Sequence, residues 1–175
     1  MEFILIFIKK MKKILVLSDT HGYIDDRIEK YVKNSDEVWH AGDFGSVEVY
    51  KKLKKLSFLK AVYGNIDGDF LRKSLSEFEV FCVENLKVLM IHIAGKSKNL
   101  SSKVENLIDS HKPNVLVCGH SHILKVEYLK SKNILYLNPG AAGKYGFHKI
   151  RTMIKFEVHK KEVENMNIIE LGQRS

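Results

Sequence analysis

Two histidines one residue apart, in Gly119-His120-Ser121-His122, stand where the apolar run of residues 115–118 stops. Other apolar runs stop on groups of the same chemical kind: Asp19-Thr20-His21, Gly42-Asp43, Gly64-Asn65 and His92. Asp19, His21, Asp43, Asn65, His92, His120 and His122 together supply two carboxylates, one carboxamide and four imidazoles. All are nitrogen or oxygen donors to a divalent metal. Seven exceed the need of one catalytic zinc, which takes about three protein ligands and keeps one position open. They fit two ions that share a carboxylate, an arrangement in which metals about 3.5–4 Å apart clamp both oxygens of an in-line displacement at phosphorus. A donor set without thiolate suits manganese first, with nickel, iron, cobalt or zinc also matching its borderline-to-hard character.

Other polar residues carry less. A lone strand-end aspartate is usually a helix cap, and only the ordered set points to metal. His40 reads as a strand histidine near the site, and His111, His148 and His159 as surface or packing residues. Ser18 and Ser121 have no base of their own, so no protein nucleophile is visible.

The elements that must bring these groups together can be read from periodicity. Residues 13–19, 37–43 and 58–65 read as strands buried on both faces. Helices at 25–34 and 46–56 lie between them, the second with Ser46 as N-cap. This βαβαβ order implies parallel strands with right-handed crossovers. A hairpin breaking at Glu84-Asn85 follows, then a helix from about 100 to 110 that ends near Pro113. A further buried strand covers 114–120. Two more hairpins turn at 131–133 and near Lys160-Lys161. In open parallel sheets ligands bind outside the carboxyl ends of the strands, which is where the seven residues fall. The expected class is α/β, with sheets that mix parallel and antiparallel strands.

The chain has 175 residues, enough for one domain with its own core. A hydrophobic content of 45% with 29% charged residues argues against disorder. Cys82 and Cys118 lie far apart in apolar runs and suggest no disulfide, which points to a reducing cytoplasm. The net charge of +8 would attract a polyanion, although lysines such as those of residues 51–56 equally make a solvated helix face. The apolar stretch 3–8 is far short of the roughly 20 residues of a membrane span, so no membrane partner is expected. Residues 1–10 read as a dispensable extension ahead of Met11, leaving 11–175 as the domain.

Ser-Asp-Thr-His-Gly at 18–22, Gly42-Asp43, Gly64-Asn65, His92 and Gly119-His120-Ser121-His122, in that order, resemble the calcineurin-like metallophosphoesterase superfamily. The compact length is similar to its small, YfcE-type phosphodiesterase branch. The resemblance spans roughly residues 14–140 and includes Asn-Pro-Gly at 138–140. It implies a four-layer α/β/β/α sandwich, the metallophosphoesterase fold. It also implies a dinuclear site at which a bridging hydroxide attacks a phosphodiester directly. Carried over by position, Asp19, His21 and His122 would hold the first metal. Asn65, His92 and His120 would hold the second, Asp43 would bridge, and Asn65 would also stabilise phosphoryl charge. The histidine pair would then straddle the two ions, its side chains on one side of extended backbone about 6–7 Å apart.

Two positions depart from the family pattern. Ile66 follows Asn65 where larger members have histidine and the small branch often cysteine. Ala94 stands where the family's second histidine after His92 would be. Without a general acid, such a site should favour leaving groups that need little protonation. The expected substrate is a small phosphodiester. A nuclease or nucleotide phosphodiesterase acting on a polyanion is an alternative, as is a non-catalytic scaffold resembling the retromer subunit of the superfamily. Self-association is left open.

Overall fold

The computed structural model of the chain describes residues 11–147 and 149–174. Residues 1–10, read above as an extension, and His148 lie outside the described residues. The first sheet has the order β12-β11-β1-β2-β3. It is built from β1 (Lys12–Leu17), β2 (Glu37–His40), β3 (Leu59–Ala61), β11 (Ile150–His159) and β12 (Glu162–Gln173). The second has the order β4-β5-β8-β10-β9. Its members are β4 (Phe78–Val83), β5 (Leu86–Ile91), β8 (Val115–Val117), β9 (Leu124–Leu129) and β10 (Ile134–Pro139). Strands β1, β2 and β3 are parallel, as are β5, β8 and β10, and antiparallel strands complete each sheet.

Alternation along β1 shows how the layers form. Ile14 and Val16 join a core cluster with Trp39, Val88, Met90, Val117 and Phe156, which fills the space between the sheets. Leu15 and Leu17 point the other way, into a cluster with Ile28 and Val32 of α1 (Asp26–Lys33) and Val49 and Leu53 of α2 (Val47–Leu56). On the far face of the second sheet, Leu89, Ile91 and Leu116 meet Val104 and Ile108 of α4 (Ser102–His111). Helix, sheet, sheet and helix therefore stack as four layers. Each layer shares an apolar face with its neighbour, which is the main stabilising term.

The capping signals behave as expected. Ser46 Oγ accepts the Val49 N–H at 3.2 Å, and Asp25 Oδ1 accepts that of Ile28 at 3.0 Å. Hairpins turn at Glu84, at residues 130–133 and at Lys160. Several boundaries differ from the sequence reading. Leu100 belongs to a two-residue strand β7 (Asn99–Leu100), paired with β6 (Gly95–Lys96), and α4 begins after its N-cap Ser101. A short helix α3 (Asp69–Ser74) follows the third strand, too short to show a period. The strands also stop early, at Leu17, His40 and Ala61 rather than at 19, 43 and 65. The backbone turns left-handed at Asp19 and Asp43, with φ of 54° and 58°, and cannot continue a ladder.

Candidate metal centre

The carboxyl ends of β1, β2, β3, β5 and β8 open on one rim, and the loops leaving them carry all seven candidate ligands. Five of the seven have left-handed backbone: Asp19, His21, Asp43, His120 and His122, with φ between 48° and 67°. Outside glycine this conformation is uncommon, least so for Asn, Asp and His, and it persists where surrounding contacts hold it. Those contacts are visible. The Asp19 N–H donates to Gly42 O at 3.0 Å and the His21 N–H to Asp43 O at 3.1 Å. The Gly119 N–H donates to His92 O at 3.0 Å. The loops thus lace one another together across both sheets.

The side chains form two groups. Asp19, His21 and His122 converge in one, and Asp43, His92 and His120 in the other, with ligand atoms within 4.8 Å of each other in each. In the first, the Nε2 atoms of His21 and His122 are 3.2 Å apart. Asp19 Oδ1 lies 3.2 Å from His122 Nε2. Among the described residues it is buried without a hydrogen-bond partner, while the other oxygen, Oδ2, takes the His120 N–H at 3.1 Å. In the second group His92 Nδ1 donates to Ala41 O at 2.7 Å. That bond directs Nε2 at Asp43 Oδ2, 3.3 Å away, and at Asn65 Oδ1, 3.1 Å away. The carboxylates are buried at the base, whereas His120 and Asn65 are exposed at the mouth.

Such convergence tests whether a cation belongs here. Lone-pair atoms face one another in both groups, and a buried carboxylate oxygen lacks a donor. A positive charge between them resolves both problems, and the nitrogen and oxygen donors fit a divalent ion. Electrostatics point the same way. Burial opposes protonation of His92, but the hydrogen-bonded Asp43 and the Asp19 charge lift its pKa above the usual value. Burial would raise Asp43, yet the His92 and Ile66 contacts hold it below the ordinary carboxylate range. For His21, burial dominates and lowers the pKa, which favours the neutral, ligating imidazole.

The reading of His120 and His122 as neighbours on extended backbone needs correction. Both are left-handed, so the chain curls between them rather than running straight. The two rings nevertheless enter different groups, His120 beside His92 with centroids 5.3 Å apart and His122 beside His21 at 5.1 Å. Ser121 is a brace: its Oγ accepts from Asn138 Nδ2 at 3.1 Å and from the Ile123 N–H at 3.2 Å. Asn138 Nδ2 also donates to Gly119 O at 2.8 Å, which explains Asn-Pro-Gly at the end of β10 as a clamp on the histidine loop.

Two further supports carry almost no sequence signal. Buried Asp67 accepts the Gly45 and Gly64 N–H groups at 3.0 and 2.8 Å, tying the second and third loops together. Arg72 donates to the carbonyls of Gly64, Asn65 and Asp67 at 2.7–3.0 Å. The proximity of Asp67 to Asn65 was the one available hint. Ile66 gives its N–H to Asp43 Oδ1 at 3.0 Å and offers no proton from its side chain. Ser18 is buried and donates to Gly42 O at 3.3 Å, so it is no nucleophile.

His40 is a structural histidine beside the site. It stacks on Phe44 at 3.6 Å, takes the Gly42 N–H on Nδ1 at 3.2 Å and places Nε2–H 3.0 Å from Thr20 Oγ1. A proton on Nδ1 would face that N–H. Burial pushes its pKa down to about 3. The unfolded chain gains a proton below about pH 6.5 that the folded chain refuses until about pH 3. His40 therefore costs stability as pH falls through that window, at up to about 1.4 kcal/mol per pH unit, and nothing above it. The expected observation is a His40 ring that does not titrate between pH 8 and about pH 4.5 in NMR spectra. A midpoint near 6.5 would refute the account. His111 packs near Phe78, with ring centroids 6.5 Å apart, and half-buried His159 lies at the end of β11, both away from the rim. Cys82 is exposed and Cys118 buried, and both are free thiols.

Known proteins share the family and the fold. Residues 11–161 match the calcineurin-like phosphoesterase superfamily domain. A probable metallophosphoesterase of Mycoplasma pneumoniae is 32% identical over 137 residues, 75% of this chain and 79% of that protein. Among solved structures, an archaeal phosphodiesterase is 27% identical with a TM-score of 0.68, covering 91% of this chain and 99% of its own. Vps29 of Entamoeba histolytica in complex with zinc superposes with a TM-score of 0.72 at 19% identity, over 91% of this chain and 98% of that one. At that identity it speaks for the fold alone.

Proposed function

The chain belongs to the calcineurin-like phosphoesterase superfamily, and from that premise we propose that it is a metal-dependent phosphodiesterase acting through a dinuclear centre. The observation that carries this reading is the pair of ligand groups on either side of one loop, Asp19-His21-His122 and Asp43-His92-His120. Asp19, His21 and His122 would hold one ion. Asn65, His92 and His120 would hold the other, with Asp43 shared. Asp43 Oδ2 lies 3.3 Å from His92 Nε2, and its charge, like that of Asp19, acts on both His92 and His21. Manganese is our choice of metal, with nickel, iron, cobalt or zinc also suited to the donors. Two such ions, when bound, neutralise phosphoryl charge and activate water as a nucleophile.

The chain's own residues do the rest. Ala41 O fixes the His92 tautomer and Asp67 and Arg72 hold the Asn65 loop, so the ligands need little reorganisation. Asn65 sits exposed at the mouth with Oδ1 turned to His92, leaving its amide N–H groups to donate to a phosphoryl oxygen. No side chain is placed as nucleophile, since Ser18 and Ser121 are committed to loop contacts. Water then attacks phosphorus without a covalent intermediate. Oxygen from labelled water should appear in the product with inversion at a chiral phosphorus, and retention would contradict this.

Ile66 and Ala94 leave the leaving group without a proton donor at those positions. An activated aryl phosphodiester should therefore turn over with a kcat/KM at least about tenfold above that of an alkyl phosphomonoester. Side-by-side assays of the two substrates decide it, and faster monoester cleavage would sink the prediction. A nucleic-acid substrate is the alternative that the +8 charge favours. It would show as a steep fall of affinity with salt, which a small diester would not. The non-catalytic scaffold is the less supported reading, because all seven ligand positions hold competent donors. We also propose that residues 11–175 act as one domain with residues 1–10 dispensable, a division supported by the family match beginning at residue 11. No described helix is long and apolar enough to cross a membrane. The free thiols favour a reducing cytoplasm as the site of action.

A further inference from the structure

Resting on the phosphodiesterase reading, we propose that the cleft continues into an apolar subsite beside His120 that seats an aromatic ring on one ester arm of the substrate. A cavity of about 380 Å³ opens there, within the size range of small-molecule sites. Ile93, Ala94, Ile123 and Tyr136 line it, and it shares Gly119, His120 and Ser121 with the metal centre. Ile93 and Ile123 directly follow the ligands His92 and His122 and are 46% and 51% exposed. Leaving two large apolar side chains in water at the mouth of a polar site is unfavourable unless something covers them. Beneath them Ala94 and Tyr136 are buried, and the Tyr136 hydroxyl is occupied by Gly95 O and Cys118 Sγ, so its ring offers an apolar wall. Among the described residues no carboxylate lines the cavity, and Lys96 and Lys125 add positive charge to its wall. At its edge the lining residues Ser97 and Lys125 both engage Glu127.

A second cavity, of about 240 Å³, meets the first at Ile93 and is the more polar of the two. Asn65, His92, Arg72, Glu77 and Lys103 line it. The Asn65-His92-His120 group therefore lies between a polar recess and an apolar one, as an unsymmetrical phosphodiester would require. The chemistry agrees with the shape. With Ile66 and Ala94 unable to protonate a leaving oxygen, a departing aryl oxide is the arm that needs the least help. In that step water forms the new P–O bond and gives its proton to solvent. The P–O bond to the ring breaks, its electron pair leaves with the aryl oxide, and a phosphomonoester remains.

Calorimetric titration of the zinc-loaded full chain with phenylphosphonate and with methylphosphonate, neither of which has an ester to cleave, tests the subsite without turnover. The phenyl compound should bind about tenfold tighter, the gain expected from burying one face-sized apolar group. Ile93→Asp and Ile123→Asp should each erase most of that preference, and Ile123→Leu should keep it. Equal affinities in the wild type, or a preference that survives both aspartates, would overturn the proposal. Should an aspartate variant fail to fold, nuclear Overhauser contacts between the phenyl protons and the Ile93 and Ile123 methyl groups in the wild type decide instead. Their absence counts against the subsite. A nucleoside monophosphate that binds with the same dependence on Ile123 identifies the ring as a nucleobase, and one no tighter than methylphosphonate identifies a simple aryl group. A phenyl preference in a protein that cleaves no diester would indict the phosphodiesterase reading alone. Diester cleavage without that preference would indict the subsite alone.

Discussion

Asp43→Asn is expected to lower phosphodiester turnover by about 10³-fold or more while leaving the fold intact. Asparagine has the same shape and tolerates the left-handed backbone that Asp43 adopts at φ 58°, so the substitution removes charge and little else. Its oxygen can still accept the Ile66 N–H, now at 3.0 Å. What is lost is the anion that faces His92 Nε2 at 3.3 Å and whose charge is felt at His21. A neutral group there cannot balance two divalent ions. Steady-state assay on an aryl phosphodiester, with thermal unfolding as the control for folding, measures the effect. Near-wild-type turnover in Asp43→Asn would remove the dinuclear reading.

Gly64→Ala should be almost as damaging, by sterics rather than charge. A methyl group at Gly64 would overlap Asp43 Oδ1 and the Asp43 backbone nitrogen. The Gly64 loop cannot easily retreat, because Asp67 Oδ2 holds the Gly64 N–H and Arg72 holds the Gly64 carbonyl. The Asp43 carboxylate is therefore the part that moves. Misplacement of a reacting group by about 1 Å costs on the order of 10²-fold in rate, and overpacking of this kind costs about 1–3 kcal/mol of stability. The expected result is a folded but less stable protein with kcat reduced by about 10²-fold and weakened metal retention. Wild-type kinetics in Gly64→Ala would show that Asp43 is not held where catalysis needs it.

Much of this was legible in the chain itself, and the reasons are specific. Ile14-Leu15-Val16-Leu17 is apolar at every position because it packs on a second sheet and on helices at once, and such runs mark their strands plainly. The ligand types are rare enough at strand ends to stand out as a set. Local backbone was not legible. Nothing in Asp-Thr-His, Gly-Asp or His-Ser-His announces five left-handed residues, because that conformation is imposed by contacts between loops distant in sequence, such as Asp19 N–H with Gly42 O. For the same reason the divergence of His120 and His122 arises from a curled loop and not from a straight strand. Asp67, Arg72 and Asn138 act through backbone groups of other segments, and residue type alone does not reveal such partners. Helix α3 and the β6-β7 pair fall below the length at which a period can be read.

The central claim is that two ions sit between Asp19-His21-His122 and Asp43-Asn65-His92-His120. Metal analysis of the purified chain after saturation with manganese and removal of free ion tests it most directly. The account predicts about two ions per wild-type chain and about one in His120→Ala, which leaves the Asp19-His21-His122 group whole. One ion or none in the wild type, or two in His120→Ala, would contradict it.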